Sequence, residues 1–245
     1  MHGTLANDIV QDLVSAAHPY APLVVRSLAK ASGIISAQPQ FFFVPDDPAL
    51  GYYRKMFANT VCSLEEREPV TDSTDTKSTA KVISKMIDDN DHQVEQPEVL
   101  KARLLDNLIG DWERHFDQWK WGIKDTGKGK LYYPVPRDRD QAFFNSDGLL
   151  LKFVSKNYLK FLQGFKKNIP DIDWLNWSAR DFDRFFLNKL TKNEWINIAD
   201  SFVMNLPDDV IENAAKKLPP EIYPFSSKPI IDKLESRRNI LKKEA

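Results

Sequence analysis

Apolar residues along this chain change their spacing several times, and each change marks an element. From Leu5 to Ala17, Ile9, Leu13 and Ala16 recur at helical spacing, and His18-Pro19 closes that run. Pro22 suits the first turn of another helix reaching Ala31, with Gly33 as its stop. Phe41–Val44 reads as a short buried strand and Asp46-Asp-Pro48 as a turn. Asn59–Glu66 reads as a second strand, alternating enough through Val61 and Leu64 to have one covered face. The polar stretch Pro69–Ser78 predicts an exposed connection, in which Asp72 and Asp75 decorate a solvated loop. A helix from Ser78 to about Asp88 follows, carrying Val82, Ile83 and Met86 on one face. After a second polar connection, Asp88–Gln96, Pro97 opens a strong helix with a stripe of Leu100, Leu104, Leu105 and Leu108, and Gly110 ends it.

Beyond Gly110 the pattern turns to strands. Trp119–Ile123 and Lys130–Val135 flank Asp125-Thr-Gly-Lys-Gly129, whose aspartate and glycines supply the backbone angles of a tight hairpin. Lys128 and Lys130 at its tip read as solvated. After Gly148 the chain reads as helical to its end. Leu149–Phe153 and Tyr158–Phe165 predict aromatic-rich helices, and Ile169–Asp173 a turn. Ser178 and Thr191, each with an acid three residues on, predict N-caps for helices bearing Phe182, Phe185, Phe186, Leu190 and then Trp195, Ile198, Phe202. Leu206–Asp209 begins a short helix that Pro219-Pro220 breaks. Pro229–Lys243 predicts a last helix with a basic, solvated face that includes Lys233, Arg237, Arg238, Lys242 and Lys243. The sum is an α+β fold, mainly α.

Composition narrows the function classes. A 42% hydrophobic content is enough for a substantial core across 245 residues, and the net charge of −1 argues against a nucleic-acid binder. One cysteine, Cys62, excludes an internal disulfide framework and a cysteine zinc site. The histidines at 2, 18, 92 and 115 lack ligand-like spacing. No apolar run approaches the roughly 18 residues that span a bilayer.

The chemistry gathers around Gly110-Asp-Trp-Glu-Arg-His-Phe-Asp-Gln-Trp119 and Pro136-Arg-Asp-Arg-Asp-Gln-Ala-Phe143. A hairpin between them brings its ends together, so Glu113, Asp117 and Gln118 should lie close to Asp138 and Asp140. Acids gathered that way repel one another unless a cation or proton sits among them, which predicts a metal site. Trp112, Trp119 and Trp121 are read as packing the loop onto its domain. Arg137 and Arg139 have two readings: contact with phosphate, or pairing with Asp138, Asp140 or other acids.

Arg114-His115, with an acid before it and an amide after it, resembles the catalytic loop of atypical kinases, namely lipid kinases, HipA-type bacterial serine kinases and secreted casein-type kinases. The wider stretch from Leu104 to Phe143 resembles a kinase-like module of large bacterial envelope proteins that also carry calcineurin-like phosphoesterase and outer-membrane barrel domains. The resemblance implies an incomplete small lobe at 1–89 and a helical large lobe at 90–245, with the catalytic core at 104–148. It implies Glu113 as the base, beside Arg114 and His115, with His115 chiefly holding the loop by hydrogen bonds. Gln118 and Asp138 would be ligands for Mg²⁺ or Mn²⁺ with Asp140 assisting, and ATP would meet a hinge at Glu65-Glu66-Arg67. Read without it, the N-terminal third is equally a helix pair capped by a strand pair. Two positions depart from the family pattern: Glu113 stands where Asp is usual and Gln118 where Asn is usual. Each adds a methylene, and misplacement on that scale costs on the order of 10²-fold in rate.

Three functions follow as expectations. The first is metal-dependent phosphotransfer from a nucleotide, by a chain that is a fragment inactive alone because no glycine-rich clamp or strand lysine precedes its first helix. The second is a non-catalytic kinase-like module that binds or joins flanking domains. The third, metal-dependent phosphoester hydrolysis, lacks a histidine-rich dimetal pattern.

Overall fold

The computed structural model describes residues 15–70 and 75–244. The expected helix over Leu5–Ala17 falls mainly outside them. Helix α1, Ala21–Ala31, carries Pro22 in its first turn and buries Val24, Val25 and Leu28. It packs against a helix late in the chain, α9 (Asp208–Ala215). Strands β1 (Gln40–Val44) and β2 (Thr60–Leu64) form an antiparallel ribbon with Phe42 opposite Cys62. A 3₁₀ turn at Pro48–Tyr53 and a helical turn, α2 (Arg54–Phe57), join them.

The ribbon corrects an expectation. Neither strand is buried: Phe43 is 63% exposed, Val61 55% and Leu64 64%. Apolar residues specify a strand's conformation, but a two-stranded ribbon has a covered face only where another layer packs on it. Its outer edges have no strand partner among the described residues.

The two polar connections hold short strands the pattern did not reveal. Lys77–Ser78 (β3) pairs antiparallel with the hairpin at Trp121 and Lys120, and Gln93–Val94 (β4) pairs parallel with Leu131 and Tyr132. Two residues carry no readable period. Helix α3, Thr79–Asp88, lies between them with Val82 buried. The hairpin β5 (Trp119–Asp125) and β6 (Lys130–Pro136) stands close to its expected bounds and completes a sheet of order β3-β5-β6-β4. Gly122 is required there, since an added Cβ would stand 2.0 Å from the Tyr133 ring.

Helix α4, Gln96–Ile109, runs through the core with the expected leucine stripe. It also buries Arg103, Asp106 and Asn107, which the stripe does not account for. Gly110 ends it in the left-handed region (φ 72°), where L residues other than glycine are strained. Arg237 reaches the carbonyls at this helix end, donating to Leu108 at 2.8 Å and Asn107 at 2.5 Å. Arg237 is therefore buried rather than on a solvated basic face, and burial pushes its guanidinium down to about 9. Arg238 is likewise engaged, with the Leu206 carbonyl and Asp208.

The remaining chain is mainly helical, with four corrections. After α5 (Leu149–Asn157), Tyr158–Phe165 is not a helix. Its hydrogen bonds go elsewhere: the Phe165 N–H donates to the Phe144 carbonyl at 2.7 Å, and Ser146 Oγ to the Gln163 carbonyl at 3.1 Å. Asp171 caps a short helix, α6 (Ile172–Leu175), where a turn was expected. Helix α7 (Arg180–Phe186) is not capped by Ser178, whose hydroxyl is used elsewhere. Thr191 and Glu194 do form the expected capping box of α8 (Lys192–Met204). The last helix, α10, spans Tyr223–Glu244 with Pro229 inside it rather than at its start. Burial of Ile230, Leu234 and Leu241 in the core outweighs the missing proline N–H. Among the described residues no helix is long and apolar enough to cross a membrane.

Candidate functional site

The site is built over one buried carboxylate. Asp106, fully buried on α4, accepts from Arg103 (3.0 Å) and Arg114 (3.2 Å) on one oxygen and from Arg139 (2.8 Å) on the other. Burial opposes its ionisation, but Arg114, Arg139 and Arg103 together hold its carboxyl below the usual range. Arg103 also binds Asp183 on α7 at 2.8 Å, so the cluster links α4 to the aromatic helices. Arg139 thus follows the second of its two readings, pairing with another acid, Asp106, rather than with its sequence neighbours.

Arg114 joins the two polar loops. Its guanidinium donates to the carbonyls of Arg137 (2.6 Å) and Asp138 (3.0 Å), and lies 4.9 Å from the Trp119 ring centroid. It is 1% exposed, so it positions backbone rather than meeting a ligand. Ser178 holds the first loop from the far side, accepting from the Arg114 N–H at 3.0 Å and donating to the Trp112 carbonyl. Trp119 stacks on Phe182 at 4.4 Å, and Trp121 donates to Thr79 Oγ1 at 3.0 Å, so both tryptophans are packing residues as expected.

Asp111 lies within this framework. Its carboxylate accepts from the Glu113 N–H at 3.1 Å, and its other oxygen has no hydrogen-bond partner. Burial pushes its carboxyl up to about 7, with the Asp106 charge adding to the rise and Arg114 opposing it.

The exposed face of this framework carries the acids. Asp138 and Asp140 line a cleft with Glu65 and Glu66, under Pro22 and Val25 of α1. Asp138 adopts φ 53°, a left-handed conformation that aspartate tolerates better than most residues. Burial pushes the Asp140 carboxyl up, and the Asp138 charge adds to the rise. Burial likewise raises Glu113, with Asp140 the next contributor, so Glu113 stands close enough to feel the acids of the second loop. Of the residues expected to meet at the hairpin's end, Asp138 and Asp140 line the cleft, whereas Glu113, Asp117 and Gln118 do not. His115 Nδ1 accepts from the Asp117 N–H at 3.3 Å, and its Nε2 stands 4.0 Å from Glu113. Asp117 is exposed, and Gln118 is buried, its carbonyl accepting from the Arg137 N–H at 2.9 Å.

Among the described residues no three histidine, cysteine or carboxylate side chains converge as a preformed metal cage. Magnesium does not require one, since it binds through one or two carboxylates and keeps several waters. Asp138 with Asp140, both lining one cleft, fits that demand, whereas a multi-carboxylate calcium cage does not. The acid-lined cleft has a volume of about 110 Å³. Ser36 and Pro69 continue it into a cleft of about 500 Å³ lined by Arg26, Val70, Lys124 and Tyr133. Only the second falls within the roughly 300–1,000 Å³ usual for an organic ligand. Glu65 and Glu66 thus stand at the acidic end, and Pro69-Val70 borders the larger space.

Sequence reasoning missed Asp106 and Ser178. The signal for Asp106 was a charged residue among the buried positions of α4; Ser178 gave none, because its partners lie 64 and 66 residues away.

Among solved structures, the chain is similar to the crystal structure of a Helicobacter pylori proinflammatory kinase, CtkA. The TM-score is 0.50 at 14% identity, over 92% of this chain and 82% of that one. At that identity the likeness concerns the fold alone, and the fold is kinase-like. No family description and no curated protein matches the sequence.

Proposed function

We propose that this kinase-like domain transfers the terminal phosphoryl group of a nucleotide to a hydroxyl, with Asp138 and Asp140 holding Mg²⁺ or Mn²⁺. Bound there, the ion would neutralise phosphate charge that the acids alone would repel. One observation carries the reading. Asp138 and Asp140 line one cleft, and Arg114, seated on the Asp106 cluster, donates to the carbonyls of Arg137 and Asp138 and so ties the loop of Glu113 to theirs.

Within this reading Glu113 accepts the acceptor hydroxyl's proton as that oxygen bonds to the phosphorus and the bond to the nucleoside diphosphate breaks. A carboxyl raised above its ordinary range is a better base at neutral pH than a fully solvated one. Arg114 and Ser178 act by position, keeping the base loop in register with the ligand loop. The 500 Å³ cleft takes the base and sugar, and the acidic end takes the phosphates with their ion.

A second reading, a kinase-like module that binds without catalysis, is favoured by Gln118: it is buried and does not line the acidic cleft. The experiment that separates them is ATP turnover with Mg²⁺ and with Mn²⁺ on wild type, Asp138→Ala and Glu113→Gln. The first reading expects turnover lost in both variants, with ATP–Mg²⁺ raising the wild-type melting temperature and not that of Asp138→Ala. Wild-type inactivity with unchanged ATP–Mg²⁺ stabilisation in Asp138→Ala would sink it.

A further inference from the structure

On the far part of the hairpin, away from the acids, lies a groove of about 570 Å³ between α3 and the sheet. Four lysines line it: Lys77 on β3, Lys81 and Lys85 on α3, and Lys130 on β6. No aspartate or glutamate among the described residues does. Lys85 reaches Asp88 at 3.8 Å with both side chains more than half exposed, and Lys130 pairs with Asp125 at the hairpin tip. Exposed pairs of this kind are weak, so a ligand carboxylate can displace them. The floor is apolar, formed by Val82, Ile123 and Tyr132. His92 closes one end; its Nδ1 accepts from the Lys130 N–H at 3.0 Å, which leaves Nε2 as the donor.

We propose that this groove binds an acidic peptide segment that alternates carboxylates with apolar side chains. The charge fixes the sign of the ligand, and the floor fixes its kind. A bare phosphate would satisfy the lysines and leave the apolar floor wet. A segment bearing both groups satisfies both. The spacing agrees: Lys81 and Lys85 are one helical turn apart, a rise of about 6 Å, and alternate residues of an extended peptide are about 6.6–6.8 Å apart. Strand β6 separates this groove from the acidic cleft by on the order of 20 Å. A peptide seated here leaves the cleft open, and the proposal does not depend on phosphotransfer at that cleft.

The test is fluorescence polarisation with the full chain and a labelled seven-residue peptide of alternating aspartate and leucine. Three variants are compared: Lys81→Glu with Lys85→Glu, the neutral pair Lys81→Gln with Lys85→Gln, and a remote control, Lys216→Glu with Lys217→Glu. The groove reversal should weaken binding at least tenfold and the neutral pair at least threefold, while the control leaves it unchanged. An analogue with serine for leucine should bind at least tenfold more weakly than the parent peptide. The neutral pair carries the conclusion if the reversal lowers the melting temperature. Equal binding of the leucine and serine peptides, or equal loss in the remote control, would overturn the proposal. Vesicles containing phosphatidylserine, bound more tightly than the peptide with the same lysine dependence, would assign the surface to a membrane and overturn it too.

Discussion

The two ends of one hairpin carry opposite charge and are supported in opposite ways. At the Trp119/Pro136 end, Glu113, Asp138 and Asp140 stand on a buried ionic cluster with Asp106 at its centre. At the Asp125/Lys130 end, lysines surround an apolar floor and pair only with exposed acids. The first set stands on loops tied together by buried groups that never reach the surface, Arg114 foremost. The second set is free to adjust, since lysine keeps its head in water while its stem covers apolar surface. The contrast teaches that a charged surface is informative when something rigid and buried holds it there.

That contrast breaks most decisively at Asp106. Asp106→Ala leaves three buried guanidinium groups without their shared carboxylate and should cost about 3–5 kcal/mol, measured by urea unfolding. A loss below 1 kcal/mol would show that the acids do not depend on the cluster.

Asp111→Asn should act next in size, and through pH. Its carboxyl is raised by burial to about 7, so between about pH 4 and 7 the folded chain binds a proton that the unfolded chain has released. Its contribution to stability is therefore fully present below the unfolded value and lost as pH rises towards 7, by an amount on the order of a few kcal/mol. Melting temperatures of wild type should fall across that window relative to Asp111→Asn, whose profile should be flatter.

Ser178→Ala removes the hydroxyl that serves both the Trp112 carbonyl and the Arg114 N–H. A cost of about 1–3 kcal/mol is expected by chemical denaturation, with nucleotide-dependent turnover reduced more than peptide binding at the groove. Equal losses at both ends would show that Ser178 acts on the whole fold rather than on the acidic loop.

Lys81→Ala and Lys85→Ala should each change stability by no more than about 0.5 kcal/mol, as surface substitutions do. A larger loss would mean that these lysines hold the fold, and the asymmetry between the two ends would narrow.

Much of this was legible in the sequence. The leucine stripe from Leu100 to Leu108, the stop at Gly110 and the strand–turn–strand run to Val135 placed α4 and the hairpin nearly to the residue. Chain reversal brings the two polar loops to one end of the hairpin, where Arg114 joins them, although Gln118 is buried and does not line the cleft of Asp138 and Asp140. The α+β, mainly α fold followed from the same local signals. Local periodicity could not say what covers an element. Phe42, Phe43 and Val61 read as core and stand in solvent, while Arg237 reads as surface and is buried against the end of α4. Nor could it place partners far apart in the chain, such as Arg139 with Asp106 or Ser178 with Trp112. Secondary structure is written in nearest neighbours, since backbone angles and short-range spacing fix it. Burial and long-range polar pairing are fixed by what else arrives at a surface, and for this protein only the assembled helices decided that.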